Sequence, residues 1–180
     1  AISPADAPLV TLLAGLAARE AIAEQTGLDC DVRWPNDLLL AGKKVSGILT
    51  EMHAEPDQVK FVIVGIGINV NHAKFPEELE PIATSLRLAT GKQHSRLELL
   101  VKLLRALEPR YNQFLAEGSR PVLEEFARVS SYAQGKRVRI STASETYVGT
   151  TAGLEANGLL RVEREDGRTA VVISGDVSEA

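Results

Sequence analysis

The sequence predicts an α+β fold: a mixed or antiparallel sheet with packed helices, followed by a small β-barrel. Three observations carry this. An alanine- and leucine-rich stretch with helical spacing opens the chain. Short β-branched runs joined by turn residues follow between residues 31 and 70. After a second helical region, the last fifty residues break into short strands separated by Asn-Gly and Asp-Gly dipeptides, which favour tight hairpins.

Taken in order, Ser3-Pro4-Ala5-Asp6 reads as a helix start, with a capping hydroxyl, a proline in the first turn and an acid at the positive end. Leu9, Leu12, Leu13 and Leu16 then share one face, with Arg19, Glu20 and Glu24 on the other, and Gly27 is a stop after about Gln25. Asp31 to Trp34 is extended and leads into a Pro35-Asn36-Asp37 turn. Leu38 to Leu40 runs to a second turn at Ala41-Gly42-Lys43, Lys44 to His53 is strand-like, and Glu55-Pro56-Asp57 turns again. Phe61 to Val70 is a buried β-branched run with glycines inside it. Strands joined this closely predict an antiparallel meander.

Ser95-Arg96-Leu97-Glu98 is a capping box. From Leu99 to Leu115 an apolar stripe continues through Pro109 until Gly118, and Pro121 to Val129 forms one further short helix. The character changes after Ser130-Ser131, which places a boundary near 130 and divides the chain into 1–130 and 131–180. Strands are expected at Lys136–Ile140, Thr146–Leu154, Gly158–Glu163 and Thr169–Ser174.

The chain has 180 residues, 44% hydrophobic and 24% charged, ordinary for a globular protein. A net charge of -4 argues against bulk attraction to nucleic acid or anionic membrane. No apolar run is long enough to span a bilayer. Cys30 is the only cysteine, so an internal disulfide is excluded and a reducing cytoplasm fits best. His53, His72 and His94 lack metal-ligand spacing and read as incidental surface or strand residues.

Two clusters carry chemistry. In Arg33-Trp34-Pro35-Asn36-Asp37 and the following Gly42-Lys43-Lys44-Val45-Ser46-Gly47-Ile48-Leu49, a rigid turn offers an amide and a carboxylate beside a hairpin with two lysines. An amide can bind a base or ribose, a carboxylate can hold a metal or orient an amine, and a lysine can stabilise charge on phosphate or carboxylate oxygens. Turn chemistry alone also accounts for these residue types, and Trp34 alone reads as core. In Gly65-Ile66-Gly67-Ile68-Asn69 two glycines weaken a branched strand, so something approaches its backbone, or the strand bulges there. The pattern lacks the third glycine and the helix of a dinucleotide fingerprint.

The order WPND, KKVSGIL, GIGINV resembles the catalytic domain of bacterial biotin protein ligases, and the resemblance runs over essentially the whole chain. It implies a class II synthetase-like catalytic fold, here incomplete, and an SH3-like carboxy-terminal barrel. It further implies that biotin and ATP give biotinyl-5′-AMP and pyrophosphate, and that biotin then passes to a lysine of a carboxylase carrier domain. By position, Lys44 is the family's ligating lysine, expected on the biotin carboxylate and α-phosphate. Asn36 and Asn69 match polar residues around the nucleotide. Asp37 matches a site that helps bind Mg²⁺ or positions the incoming amine. Gly47 and Ile48 would border biotin through backbone and apolar contact, Gly65 and Gly67 would give it room, Trp34 would support the site from beneath, and Arg33 would face phosphate.

The resemblance also implies an arginine- and glycine-rich loop and biotin-lining residues upstream of the first helix, where this sequence begins. Activity is therefore expected to need that segment, and a homodimer or that segment is expected to cover the exposed sheet edge. No DNA-binding module is seen, so no nucleic-acid partner is expected. The competing readings are a non-catalytic module used for carrier docking or association, and a lipoate-type acyl ligase.

Overall fold

A computed structural model describes residues 2–55 and 58–180. It contains two antiparallel sheets packed with helices. A 3₁₀ turn at Pro4–Asp6 leads into α1, Ala7–Thr26. The expected cap differs in detail: the Ser3 hydroxyl donates to the Asp6 carboxylate, 2.7 Å away, and the α-helix starts only at Ala7. Gly27 ends it in the left-handed conformation at φ 75°, as a C-cap does. Eleven residues of α1 are buried, and a helix apolar on most sides belongs in the interior.

The first sheet has the order β1-β2-β3-β4, all neighbours antiparallel, with β1 at Asp31–Arg33, β2 at Asp37–Leu40, β3 at Lys43–Glu55 and β4 at Gln58–Ile68. This is the expected meander. The β2–β3 hairpin turns at Ala41 and Gly42, with φ 49° and 77°. The turn expected at Glu55-Pro56-Asp57 lies outside the described residues in its last two positions. One face of β3 and β4 packs on α1: the Thr11 hydroxyl donates to Thr50 Oγ1 at 2.8 Å, and Gly15 lets Ile48 approach closely.

Beyond β4, α2 (Leu86–Thr90) is a single capped turn that the sequence did not announce. The helix α3 (Arg96–Glu117) begins with Ser95 Oγ accepting from the Glu98 amide, as the capping box predicts, and runs through Pro109. Only Leu99, Leu103, Ala106 and Phe114 of α3 are buried, whereas Leu97, Leu100, Leu104 and Leu115 stay exposed. Helix α4 (Arg120–Val129) follows. Arg110 ties α1, α3 and α4 together, 2.5 Å from Glu20 and 2.7 Å from Glu125.

The second sheet has the order β8-β7-β6-β5-β9, with β5 at Gln134–Ser141, β6 at Thr146–Leu154, β7 at Leu160–Arg164, β8 at Thr169–Val172 and β9 at Asp176–Glu179. Its hairpin glycines, Gly158 and Gly167, have φ 84° and 80°. The tip of the β6–β7 hairpin rests on Leu9 and Leu12 of α1, where a Cβ on Gly158 would come within 3.1 Å of both side chains. Among the described residues no helix is long and apolar enough to cross a membrane.

Candidate functional site

The site is built on one transverse row of the first sheet. Arg33 on β1 is paired with Asp37 on β2, Asp37 with Gly47 on β3, and Gly47 with Gly67 on β4. Directly paired residues project from the same face, so a cation, a carboxylate and two missing side chains stand in a line. Leu49↔Gly65 forms the next row of that face, two residues along in each strand.

Lys44 joins the row because of a bulge. Leu38 pairs with Ser46, but Leu39 pairs with Lys44, so Val45 is skipped. Strict alternation would send Lys44 to the face opposite Gly47; an extra residue reverses the parity and re-aims the side chain. Val45 is buried instead, and Lys44 lies over Gly47: a Cβ added there would sit 3.0 Å from Lys44 Cε and 3.1 Å from Nζ. The main chain of Lys44 is gripped from the other side, its amide donating to Ile82 O at 2.8 Å and its carbonyl accepting from the Thr84 amide at 2.9 Å.

The charges interlock. Lys44 Nζ is 2.5 Å from Asp37 Oδ1, and Arg33 Nη2 donates to Asp37 Oδ2 at 2.6 Å. Asp37 is only 6% exposed, so its charge needs both partners, since an unpaired buried carboxylate is costly. Burial works to lower the Arg33 pKa, yet the hydrogen bond and charge of Asp37 outweigh it and hold the guanidinium above its ordinary value. The Lys44 side chain keeps 46% of its surface open, so the ammonium is anchored on one side and accessible on the other.

Asn36 and Asn69 hold the strands around this row. Asn36 Nδ2 donates to Ile48 O at 2.8 Å, and the Ile48 amide returns a bond to Asn36 O. Asn69 Nδ2 donates to Thr84 O at 3.1 Å, and its main-chain amide donates to Val45 O at the bulge.

Two expectations change, those for Ile48 and His94. Ile48 does not supply apolar contact on the glycine face: it is 3% exposed and points to α1, because it lies one residue from Gly47. Leu49, 66% exposed, takes that position. Arg33 turns one arm, Nη2, to Asp37. His94 is buried, with Nε2 2.7 Å from Thr90 Oγ1 and its main chain bonded to the Asn71 side chain; burial, and then the charge of Lys92, hold its pKa below the ordinary value. Trp34 is 3% exposed, a core residue, and donates from Nε1 to Gly158 O at 2.9 Å. Cys30 is buried in the core, and burial pushes its thiol up to about 12.

The residues do not fit a protein-held magnesium at Asp37. Each of its oxygens already faces a cation, and a divalent ion there would have to displace one of them. Among the described residues no three His, Cys, Asp or Glu side chains gather as a metal site.

The sequence model of the Biotin/lipoate A/B protein ligase family matches residues 1–69, and that of the Biotin protein ligase C terminal domain matches residues 134–178. A solved structure, the biotin protein ligase from Aquifex aeolicus in complex with biotin and ATP, superposes with a TM-score of 0.80 at 32% identity, covering 95% of this chain and 70% of that one. This chain belongs to the biotin protein ligase family. Among curated biotin protein ligases, the bifunctional ligase/repressor BirA of Bacillus subtilis is 42% identical over 164 residues, 89% of this chain and 50% of its own length. The biotin--[acetyl-CoA-carboxylase] ligase of Mycobacterium tuberculosis is 36% identical over 172 residues, 93% of this chain and 61% of its own length. The chain thus spans about half the length of the first curated biotin protein ligases it matches.

Proposed function

We propose that this chain carries the ligating lysine and the floor of the active site of an enzyme that biotinylates a carboxylase carrier domain. The observation that supports this best is the Lys44 ammonium, anchored by Asp37 above Gly47 with its other side open. In the first step a biotin carboxylate oxygen attacks the α-phosphorus of ATP, a new P–O bond forms, and the α–β anhydride breaks to release pyrophosphate. In the second the neutral amine of the carrier lysine attacks the acyl carbon, AMP leaves, and the amine loses a proton. Both transition states gather negative charge on oxygen, and a fixed cation lowers both barriers.

In this reading Lys44 touches the reacting oxygens. Gly47, Gly65 and Gly67 keep the floor low enough for a ligand to lie on the strands, and Leu49 supplies the apolar contact. Asn36, Asn69 and Ile48 fix the frame. Asp37 and Arg33 serve Lys44, and any Mg²⁺ is brought by the nucleotide phosphates. Residues 1–130 form the catalytic part and 131–180 a separate small domain. We also infer that further chain, from the same polypeptide or a second copy, covers the open β4 edge, because a groove of about 580 Å³ runs beside it between α1 and α3, lined by Val10, Leu13, Val62, Val64, Leu104 and Leu107.

The test is biotin- and ATP-dependent labelling of a carrier domain by the complete polypeptide that bears this chain. Labelling is expected with biotin, with loss of at least about 10²-fold in the Lys44→Ala variant. The matched family description also covers lipoate ligases; lipoate outcompeting biotin, or full turnover by Lys44→Ala, overturns the assignment.

A further inference from the structure

We propose that Arg33 is a positioning residue: it acts through Asp37 to hold the Lys44 ammonium over Gly47, and Ser130, Ser131 and the β6–β7 turn fix where Arg33 stands. The value of that placement for catalysis rests on the ligase reading above; the placement itself does not.

The Lys44 ammonium ends a flexible four-carbon stem with no intrinsic direction. One carboxylate oxygen beside it would give it a partner but no fixed place, because a carboxylate free to turn takes the ammonium with it. Here Asp37 is not free to turn. Its second oxygen is taken by Arg33 at 2.6 Å, in the same transverse row of the sheet. A planar guanidinium is the group suited to this, since it stays charged and directs its donors in a fixed fork.

Arg33 is itself fixed by its neighbours on β1 and just beyond it. Asp31 accepts from the Ser131 amide at 2.8 Å and from its hydroxyl at 2.5 Å. Val32 O accepts from the Ser130 hydroxyl at 2.5 Å. Trp34 Nε1 donates to Gly158 O. Residues 31, 32 and 34 are therefore all bonded to the chain that leads into, or forms, the second sheet, and Arg33 is the one between them that faces the site. The three-residue β1 is too short to hold itself, so these bonds set the start of the row Arg33–Asp37–Gly47–Gly67.

This gives the charge at Lys44 a mechanical support: Ser130, Ser131 and the β6–β7 turn act on it without touching it. It also gives Asp37 a task other than binding a divalent ion: Oδ2 accepts from Arg33 and Oδ1 faces the Lys44 ammonium.

The test is nuclear magnetic resonance of the lysine ammonium groups in the ¹⁵N-labelled 180-residue chain, with the Lys44 signal assigned by its disappearance in Lys44→Arg. The wild-type Lys44 ammonium is expected to be more ordered than that of exposed Lys92. Arg33→Met should lower it to the level of Lys92, while Arg33→Lys retains part of the order. If Arg33→Met does not fold, Asp37→Asn is expected to release Lys44 in the same way, and the wild-type measurement stands on its own. A Lys44 ammonium as mobile as Lys92 in the wild type, or equally ordered in the variants, overturns the proposal. Titration of the complete polypeptide that bears this chain with biotinyl-5′-AMP separates the two claims: an ordered Lys44 that does not respond to the adenylate there leaves the support intact and removes the ligase reading.

Discussion

At Gly47 the missing Cβ leaves a space that the end of the Lys44 side chain occupies, 3.0–3.1 Å from where the Cβ would be. The atoms in the way are the far end of a flexible side chain, so Gly47→Ala should move the ammonium and spare the backbone. The expected outcome is a fall in adenylate formation of about 10²-fold, the cost of misplacing a reacting group by about 1 Å, with a change in unfolding free energy of no more than about 0.5 kcal/mol. Steady-state kinetics and urea unfolding on the same variant check both halves. Gly65→Ala makes a useful contrast, because its nearest neighbour would be Leu49 O at 3.6 Å, an ordinary contact.

At the scale of elements, β1 is where the two sheets meet. Trp34→Phe removes the donor to the Gly158 carbonyl and should cost about 1–3 kcal/mol, the usual cost of leaving a buried polar group unpaired. It is read as a lower urea midpoint with an unchanged slope; an unchanged midpoint would show that the bond adds nothing. Much at this scale was legible in the sequence. The capping box located the start of α3, Gly27 and Gly118 the ends of α1 and α3, and the Asn-Gly and Asp-Gly dipeptides the hairpins, because each signal is local. What was not legible depends on partners far away in sequence. The four residues of β9 become a strand only by pairing with β5. The bulge at Val45 exists only relative to β2, so sequence alone could not show which face Lys44 takes. The same parity separates Ile48 from Leu49: counting by two from Gly47 reaches Leu49, and a motif that runs through both does not distinguish them.

Across the whole molecule, the residues of the site come from four strands of one sheet and the turns beside them, and Ser130, Ser131 and the β6–β7 turn brace the strand at its far end. The family motifs placed Lys44, Asp37, Asn36, Asn69, Gly47, Gly65 and Gly67 in one region, and the structure brings them together; the ion pairs of Asp37 could not be read from the motifs, since turn residues carry no sign of what their side chains reach. Along β4 lies a different feature, the apolar groove between α1 and α3, where exposed Phe61 and Leu104 stand near a strand edge that is unpaired among the described residues. A strand edge of this kind invites pairing with further chain. The glycine floor and the groove are thus two separate candidate surfaces, and only the first carries the anchored cation. Hydrogen exchange of the complete polypeptide that bears this chain, with and without biotinyl-5′-AMP, distinguishes them most directly. Slower exchange is predicted in residues 43–49 and 64–70, with the hairpins of the second sheet unchanged; protection confined to the groove between α1 and α3, or none at residues 43–49, would contradict the account.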